Sequence, residues 1–434
     1  MTTRRTFLKS AAVVAPAAIL TPRASQAQAA ASLPAKLQPN SIPVSTLPSL
    51  YDVEPNIHNL ENGYWGIMPR SVARVYADQT AFVNRNNSIW GRGVLPGGAC
   101  LAAGGREARE AIARQVGAHP DEIAITRSGS EGLEALILGY NRLKPGDAAI
   151  SCDLDYDTVL AAMDSLGQRR GAQVVRFAMP EPATTANILA AYDDILKRTP
   201  SAKLLIVTQV SNRTGLVTPV KEIVALARAR GVDTIVDIAH GVACLDFQLA
   251  DLGCDFAGWS VHKWTAAPLG TGAMYIRRER LADIDLAPDV HDASPSDIAS
   301  RVPAGTVNFA ALLTIPAAVD FHFAVGAAAK EKHLRTLRNR WVEPLRDLPN
   351  VEICVPDDPT RFCAITSFRL RGMHTDQQAG QLQQLLFDRY RVLTIQRKGV
   401  AAGPVLRVTP GLYTTPADCD ALVAALRKEH TLFA

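Results

Sequence analysis

The chain has 434 residues, of which 47% are hydrophobic, so it is long enough to bury a large core and to form two lobes. It carries 46 Lys and Arg and 42 Asp and Glu residues, a formal net charge of +4 at pH 7. That excess lies in residues 1–29, which hold four basic and no acidic residues, so the remainder is neutral. A neutral chain without a clustered basic face excludes nucleic acid and anionic membrane surfaces as expected partners.

The N-terminus has the three parts of a secretory signal. Arg4 and Arg5 precede Phe-Leu-Lys, residues 10–20 are uncharged, and Ala27-Gln28-Ala29 is a small-residue cleavage site. The paired arginines assign the twin-arginine route, and the apolar stretch is shorter than the roughly 20 residues of a spanning helix. We therefore expect cleavage near Ala29, the twin-arginine translocation machinery as a transient partner, a periplasmic location and no stable membrane anchor.

Residues 30–69 are predicted to form an N-terminal arm, and its first part is rich in Pro, Ser and Ala. From 70 to 310, short apolar runs alternate with helical segments, which predicts a large, doubly wound, mainly parallel sheet domain. The predicted strands include residues 123–126, 148–151, 204–208 and 234–237. Within this domain we expect a helix that is capped by Thr218, has Pro219 in its first turn and ends at Gly231.

Residues 311–434 are predicted to form a smaller α+β domain. One long helical stretch runs through Arg340, and strands are expected at 364–370 and 406–408 with helical sequence between them. Seven cysteines are scattered through the chain without Cys-x-x-Cys spacing, which argues against zinc and iron–sulfur centres. We interpret them as buried apolar residues and predict no metal site.

A candidate anion site follows the strand at 123–126. The segment Ser128-Gly129-Ser130-Glu131-Gly132 separates that strand from helical sequence. Free backbone amides and the helix dipole both favour an anion at such a turn, so a phosphate fits there. Taken alone the motif is weak, because most such turns are only helix caps.

A lysine and an aspartate suggest the chemistry. Lys263, in Trp-Ser-Val-His-Lys-Trp, follows the strand-end Asp237 by 26 residues and precedes the glycine-rich segment 270–272. Asn212, Asp237 and His240 come after strands whose carboxyl ends meet at one crevice of a doubly wound sheet. A lysine amine can hold an aldehyde cofactor as a Schiff base, and an aspartate can keep a pyridine nitrogen protonated. Together these residues predict a pyridoxal phosphate site.

The order of the motifs resembles the class V aminotransferase family of fold-type I pyridoxal phosphate enzymes, over residues 60–413. The resemblance implies a fold-type I transferase fold and a homodimer. It implies Lys263, Asp237, His240 and Tyr156 as catalytic residues. The implied cofactor contacts are Gly129, Ser130 and Glu131 in the phosphate turn, Tyr156 on the ring face, Asn212, Asp237, His240, Ser260, His262 and Lys263, and Thr306, which reaches the phosphate of the partner subunit.

The resemblance also implies substrate contacts. Arg407, in Leu-Arg-Val-Thr-Pro, is similar to the arginine that binds the substrate carboxylate, for which its planar donors are suited. Asn62 and Tyr64 lie in the N-terminal element 62–66. That element, together with Tyr156 and the Asp-x-Ala-His sequence, resembles the isopenicillin N epimerase-like branch of the family.

The expected function is that of a periplasmic enzyme acting on the amino group and Cα of an amino acid or an amino-acid-containing peptide metabolite. Epimerase-like and aminotransferase-like reactions both begin with loss of the Cα proton, for which Lys263 is the natural base. An epimerase also needs a donor on the opposite face, such as Tyr156 or His240. Alternatives are a carbon–sulfur lyase, a tailoring enzyme for a siderophore glutamate side group, and a catalytically silent periplasmic binding protein.

Two further reactions are disfavoured. A desulfurase of this family needs a mobile cysteine before the carboxylate arginine, but residues 397–403 contain none and Cys363 adjoins a predicted strand. A dehydrogenase of the dinucleotide-binding type needs Gly-x-Gly-x-x-Gly after the first strand, and this chain lacks it.

Overall fold

A computed structural model describes residues 37–95, 99–290 and 294–434. The predicted twin-arginine signal, residues 1–29, lies outside the described residues. The helices of this part are α1 (Arg70–Gly91), α2 (Leu101–Val116), α3 (Gly129–Gly139), α4 (Asp157–Arg170), α5 (Thr185–Arg198), α6 (Val220–Arg228), α7 (Leu249–Leu252), α8 (Phe309–Val325), α9 (Ala327–Arg346), α10 (Asp376–Tyr390) and α11 (Pro416–Glu429). The strands are β1 (His58–Asn59), β2 (Ile123–Thr126), β3 (Ala148–Cys152), β4 (Gln173–Phe177), β5 (Ala202–Thr208), β6 (Asp233–Asp237), β7 (Phe256–Ser260), β8 (Gly272–Ile276), β9 (Val351–Ile353), β10 (Thr366–Leu370), β11 (Val392–Leu393), β12 (Ile395–Arg397) and β13 (Val405–Val408).

The larger sheet has seven strands in the order β2-β8-β7-β6-β5-β3-β4. Pairs from β7 to β4 are parallel, whereas β8 runs antiparallel to both β7 and β2. Both faces are buried, since Leu205 and Val207 belong to one core cluster while Leu204 and Ile206 belong to another. Burial of both faces explains why these strands are continuous apolar runs. The predicted mainly parallel sheet of a fold-type I transferase is confirmed.

One helix boundary differs from its prediction. Helix α6 begins at Val220 with Pro219 at the cap position and no side-chain cap, so the prediction that Thr218 caps it is wrong. Thr218 Oγ1 instead donates to the Thr208 carbonyl at 2.8 Å, which ties the helix start to the end of β5. The turn after α6 closes at Gly231, where φ is +67°.

The smaller sheet is antiparallel, in the order β12-β13-β10-β9. Helices α9, α10 and α11 cover one face, and their apolar residues share a core cluster with Phe368 and Leu406. The predicted arm contributes β1, which pairs in parallel with β11, and Glu61 forms a bridge with Thr409 directly after β13. The chain segment before residue 70 thus runs beside β11 and past the end of β13, the strand that carries Arg407. The domain boundaries expected at residues 69/70 and 310/311 remain predictions.

The long helical stretch expected after residue 311 consists of two helices, α8 and α9, bent by 75°. Gly326 lies between them with φ at +87°, which L side chains rarely adopt, and a Cβ there would lie 2.0 Å from Asn40 Oδ1. A glycine is therefore required at this corner. No single helix in the described ranges is long and apolar enough to cross a membrane; only the bent α8–α9 pair meets the length and composition criteria together.

The carboxyl ends of β5, β6 and β7 lie side by side. Thr208 pairs with Asp237, and Asp237 pairs with Gly258, so the residues that follow each strand emerge at the same edge. In doubly wound sheets this edge is where ligands bind.

Candidate active site

Lys263 and His240 meet at this edge. Lys263 Nζ lies 3.1 Å from His240 Nε2, and Trp264 Nε1–H donates to His240 Nδ1 at 3.3 Å. Because Nδ1 accepts this bond, the proton of the neutral imidazole is on Nε2, which then donates to the lysine amine. Burial, followed by the positive charge of Lys263, holds the pKa of His240 well below its usual range.

The lysine amine is shifted toward its neutral form. Burial lowers the pKa of Lys263 to about 8, opposed by the negative charge of Asp237 and assisted by the positive charges of Arg407 and Arg397. A neutral amine is the form that attacks an aldehyde and that accepts a proton. At pH 7 Lys263 is therefore far closer to a reactive state than an exposed lysine would be.

Asp237 ends β6 inside the cavity and is buried. Its Oδ1 accepts a hydrogen bond from the Ala239 amide at 2.9 Å, and burial raises its pKa despite that bond and the charge of Lys263. A buried carboxylate with so few donors is stabilised by a cationic N–H group. A protonated pyridine nitrogen supplies such a group.

The turn predicted to hold an anion lies between β2 and α3, at the start of a helix, a position that favours anions. Helix α3 begins at Gly129 with Ser128 as its cap, and the Gly129 amide donates to Ser260 Oγ at 3.1 Å. A Cβ at Gly129 would lie 2.6 Å from the Trp259 carbonyl carbon, so only glycine allows this approach of helix to strand. Ser130 also lines the cavity.

His262 lies beside the cradle, half-buried. Its Nδ1–H donates to the Thr271 carbonyl at 2.8 Å, and burial lowers its pKa to about 4. With Nδ1 engaged, Nε2 can donate to a phosphate only when the ring is protonated. A phosphate dianion nearby favours that protonated form, since an opposite charge raises a histidine pKa.

The walls of one cavity bring most of the predicted residues together. The lining residues are Gly129, Ser130, Leu133, Tyr156, Thr208, Val210, Asn212, Asp237, Ala239, His240, Ser260 and Lys263. Asn212 is buried, and its Oδ1 has no hydrogen-bond partner within the described residues. A buried acceptor without a partner indicates that a bound group completes the site.

Arg407 is fully buried, and both of its Nη groups donate hydrogen bonds within the chain, whereas its Nε has no partner among the described residues. Its Nη1 donates to the Asn212 carbonyl at 3.0 Å, and its Nη2 donates to Glu61 Oε1 at 2.5 Å. Glu61 was not among the predicted residues. Its one sequence signal is its position beside Asn62 in the N-terminal element.

Six predicted residues do not line the cavity: His262 and Arg407, described above, and Glu131, Thr306, Asn62 and Tyr64. Glu131 accepts hydrogen bonds from the Arg127 amide at 2.6 Å and from the Arg127 side chain, so its carboxylate is turned away. Thr306 is exposed, an arrangement compatible with a role toward a partner subunit. Asn62 is buried, and its amide donates to the Thr409 carbonyl at 3.0 Å, whereas Tyr64 is 69% exposed.

The N-terminal element nevertheless runs past both functional residues. The Cβ position of Gly63 lies 2.4 Å from Arg407 Nη2, and the Gly66 amide donates to the His262 carbonyl at 2.8 Å, next to Lys263. The aromatic side chains between them, Tyr64 and Trp65, pack edge to face with ring centroids 4.7 Å apart. This element therefore runs between Arg407 and the segment that carries Lys263.

The residues present fit pyridoxal phosphate on three counts. The cradle at Gly129 and Ser260 suits a phosphate, Asp237 suits a protonated ring nitrogen, and Lys263 is an amine of lowered pKa within the same cavity. The unpartnered oxygen of Asn212 leaves an acceptor for a further polar group.

Comparisons with known proteins identify relatives of this chain. The chain is 28% identical over 401 residues to isopenicillin N epimerase of Streptomyces clavuligerus, covering 86% of this chain and 95% of that protein. It is also 28% identical over 360 residues to a cysteine desulfurase of Pectobacterium carotovorum, covering 76% and 84%.

Solved structures show the same fold. The cysteine desulfurase CsdA of Escherichia coli superposes with a TM-score of 0.75 at 22% identity, covering 91% of this chain and all of that one. A lysine-to-alanine mutant of C-DES, solved with glycine covalently linked to its pyridoxal phosphate cofactor, also gives a TM-score of 0.75, at 20% identity over 89% of this chain and 99% of that one.

The sequence model of the aminotransferase class-V family matches residues 70–420. That range includes β2 to β13 and every cavity-lining residue. The chain therefore belongs to the class V aminotransferase family of pyridoxal-phosphate-dependent enzymes.

Proposed function

We propose that this enzyme removes the Cα proton of an amino acid, or of an amino-acid unit in a peptide metabolite, in an epimerase-like or aminotransferase-like reaction. One observation carries the proposal: the amine of Lys263 lies 3.1 Å from a neutral His240 in a cavity that also contains Asp237. Pyridoxal phosphate, when bound, supplies a ring that withdraws electrons from the substrate Cα.

Lys263 acts as the base. Its pKa of about 8 lies near neutral pH, where a general base works best. His240 holds the amine through Nε2. The lowered pKa of His240 keeps its imidazole neutral, so it adds no positive charge beside the amine. Tyr156, also on the cavity wall, is the candidate for proton transfer on the opposite face, which epimerisation requires and transamination does not.

This chain shares its fold with cysteine desulfurases but not the mobile cysteine nucleophile that such a desulfurase needs. Residues 397–403, which precede Arg407, contain no cysteine. Cys363 is buried, with its Sγ 3.9 Å from the Gly215 carbonyl, and burial in apolar surroundings does not suit a mobile thiolate. The similarity to isopenicillin N epimerase, which covers most of both chains, favours an epimerase-like reaction.

Exchange of the Cα proton tests the proposal. The holoenzyme is incubated in deuterium oxide with a panel of free amino acids and short peptides, and mass spectrometry records deuterium incorporation and keto-acid formation. Exchange without keto acid supports epimerisation, and keto acid with a converted cofactor supports transamination. Lys263→Ala is expected to abolish both the exchange and the visible absorbance band of the bound cofactor. A wild-type protein that takes up no cofactor would refute the enzyme function.

We also propose a periplasmic location and a homodimer. The location rests on the signal pattern of residues 1–29. Replacing Arg4 and Arg5 together with lysine is expected to retain the protein in the cytoplasm, as cell fractionation will show. The dimer rests on the family role of Thr306, and light scattering of the purified protein measures its mass. A stable, active monomer contradicts it.

A further inference from the structure

A second lysine, Lys330, is buried next to the segment that carries Lys263. It lies in the first turn of α9, and the residue is 2% exposed. Its amine donates a hydrogen bond to the carbonyl of Trp264, the residue after Lys263. Burial lowers its pKa to about 7, and no carboxylate of the described residues forms an ion pair with it. A buried amine is costly and an apolar side chain suits such a position, so the amine points to a role other than stability.

The acceptor of this amine is the Trp264 carbonyl and not a charged side chain. The titratable side chains coupled to Lys330 are Cys244 and His322, and both are buried. Burial raises the pKa of the Cys244 thiol and lowers the pKa of His322 to about 3, so both are neutral near pH 7. Neither side chain supplies an anion, and the hydrogen bond to Trp264 is what the amine contributes to its surroundings.

Two helices outside the cavity hold the residues that follow Lys263. Gln115 of α2 donates through its buried side chain to Thr265 Oγ1 at 3.0 Å. Lys330 of α9 holds the Trp264 carbonyl. The second contact is the one that reaches toward the reacting groups, because the side chain of Trp264 touches His240.

Trp264 connects Lys330 with the reactive amine through hydrogen bonds. Its carbonyl accepts from Lys330, and its indole donates to His240 Nδ1 at 3.3 Å. His240 Nε2 in turn lies 3.1 Å from Lys263 Nζ. The indole is 3% exposed and packs in the main core, where close packing leaves little freedom to reorient. The backbone position that Lys330 fixes therefore determines where the indole N–H lies.

We infer that Lys330 is a positioning residue for the reaction: it holds the backbone of Trp264, so that the indole determines which nitrogen of His240 faces Lys263. Lys330 itself contacts neither cofactor nor substrate. This inference rests on the proposed function and adds to the same site a residue from outside the cavity.

The pH midpoint of cofactor association tests it. Each full-length variant is mixed with pyridoxal phosphate from pH 6 to 9.5, and association is read from the visible absorbance of the bound cofactor. Lys330→Met removes the donor but keeps an unbranched side chain. If the indole is no longer held, the Nε2–H of His240 no longer favours neutral Lys263, and the midpoint is expected to rise by about 0.3 to 1 unit, the range for loss of one hydrogen bond.

Two further substitutions separate positioning from packing. Lys330→Gln keeps a neutral donor on a side chain one bond shorter, so it is expected to restore part of the shift. The control is Arg338→Met, which removes another buried cation of α9. The Arg338 guanidinium lies 3.8 Å from the ring centroid of Phe362 and donates to Thr366, not to the segment after Lys263. Arg338→Met is therefore expected to keep the wild-type midpoint.

A double variant tests whether Lys330 acts through the indole. Trp264→Phe removes the indole donor directly, so adding Lys330→Met to it is expected to shift the midpoint by less than about 0.2 unit more. Additive shifts, a wild-type midpoint in Lys330→Met, or an equal shift in Arg338→Met each overturn the inference.

Folding of the variants is measured by urea unfolding. Lys330→Leu replaces Lys330→Met if the methionine variant does not fold, and failure of both to fold makes Lys330 a structural residue and overturns the inference. Failure of the proposed function is distinct, because it appears in the wild type, as a protein without a cofactor absorbance band.

Discussion

The Trp264 indole N–H donates to His240 Nδ1, and this one bond determines which histidine nitrogen faces Lys263. The two residues are 24 positions apart in the chain. Because Nδ1 is an acceptor, Nε2 carries the proton and donates to the amine. This favours a neutral Lys263, and neutral Lys263 is the species that both captures an aldehyde and accepts a proton.

Removing the indole donor should therefore raise the pKa of Lys263. Trp264→Phe is expected to shift the pH midpoint of cofactor association upward by up to about one unit, since a hydrogen bond contributes about 1 kcal/mol and one pKa unit corresponds to about 1.4 kcal/mol. The matched control is Trp259→Phe, because the buried Trp259 Nε1 has no partner in the described part of the chain. An equal shift in both variants would mean that packing, not the hydrogen bond, is responsible.

Cofactor capture should depend on pH through Lys263 itself. With a pKa of about 8, the neutral amine increases as pH rises through that value. At pH 7 its neutral fraction is about 300 times that of a lysine with the ordinary pKa. Stopped-flow absorbance of the apoprotein mixed with pyridoxal phosphate, from pH 6 to 9.5, should give an association rate that levels off above pH 8. A rate still rising in proportion to hydroxide at pH 9.5 contradicts the lowered pKa.

Asp237→Asn should retain the cofactor but lose turnover. The carboxamide cannot balance a protonated ring nitrogen, so the ring becomes a weaker electron acceptor. A loss of about 10²- to 10³-fold in the Cα exchange rate is expected, the range for loss of one preorganised electrostatic contact. The control is Asp233→Asn, at the opposite end of β6, where the carboxylate pairs with Arg280 at 2.6 Å. Near-normal exchange in Asp237→Asn would remove it from the reacting site.

The Glu61–Arg407 pair should be strongly coupled in stability. Arg407→Gln leaves a buried carboxylate without its partner and is expected to lower the free energy of unfolding by about 3 kcal/mol or more. The double variant, Glu61→Gln with Arg407→Gln, should recover much of that loss, because no charge remains buried. Urea unfolding of the wild type and the three variants measures the coupling. Additive losses would show that the two side chains act independently.

Much of the site could be predicted from local sequence. Phosphate cradles need small residues at a helix start, and functional side chains in a doubly wound sheet follow the strands. Patterns only a few residues long therefore predict the positions of Gly129, Asn212, Asp237 and Lys263. The same local reasoning failed at Thr218, whose hydroxyl binds the Thr208 carbonyl instead of capping α6. A short polar side chain has several partners of similar energy, and tertiary packing selects among them.

By itself, the sequence determined which residue types follow each strand and in which order they come along the chain. That order is what identified the chemistry of the family. Only the tertiary structure decided how the charges pair. Glu61 and Arg407 are 346 positions apart, and their contact depends on the bridge between Glu61, which follows β1, and Thr409, which follows β13. Electrostatic energy depends on distance and burial, which local patterns do not record, so the pairing of Glu61 with Arg407 follows from the fold.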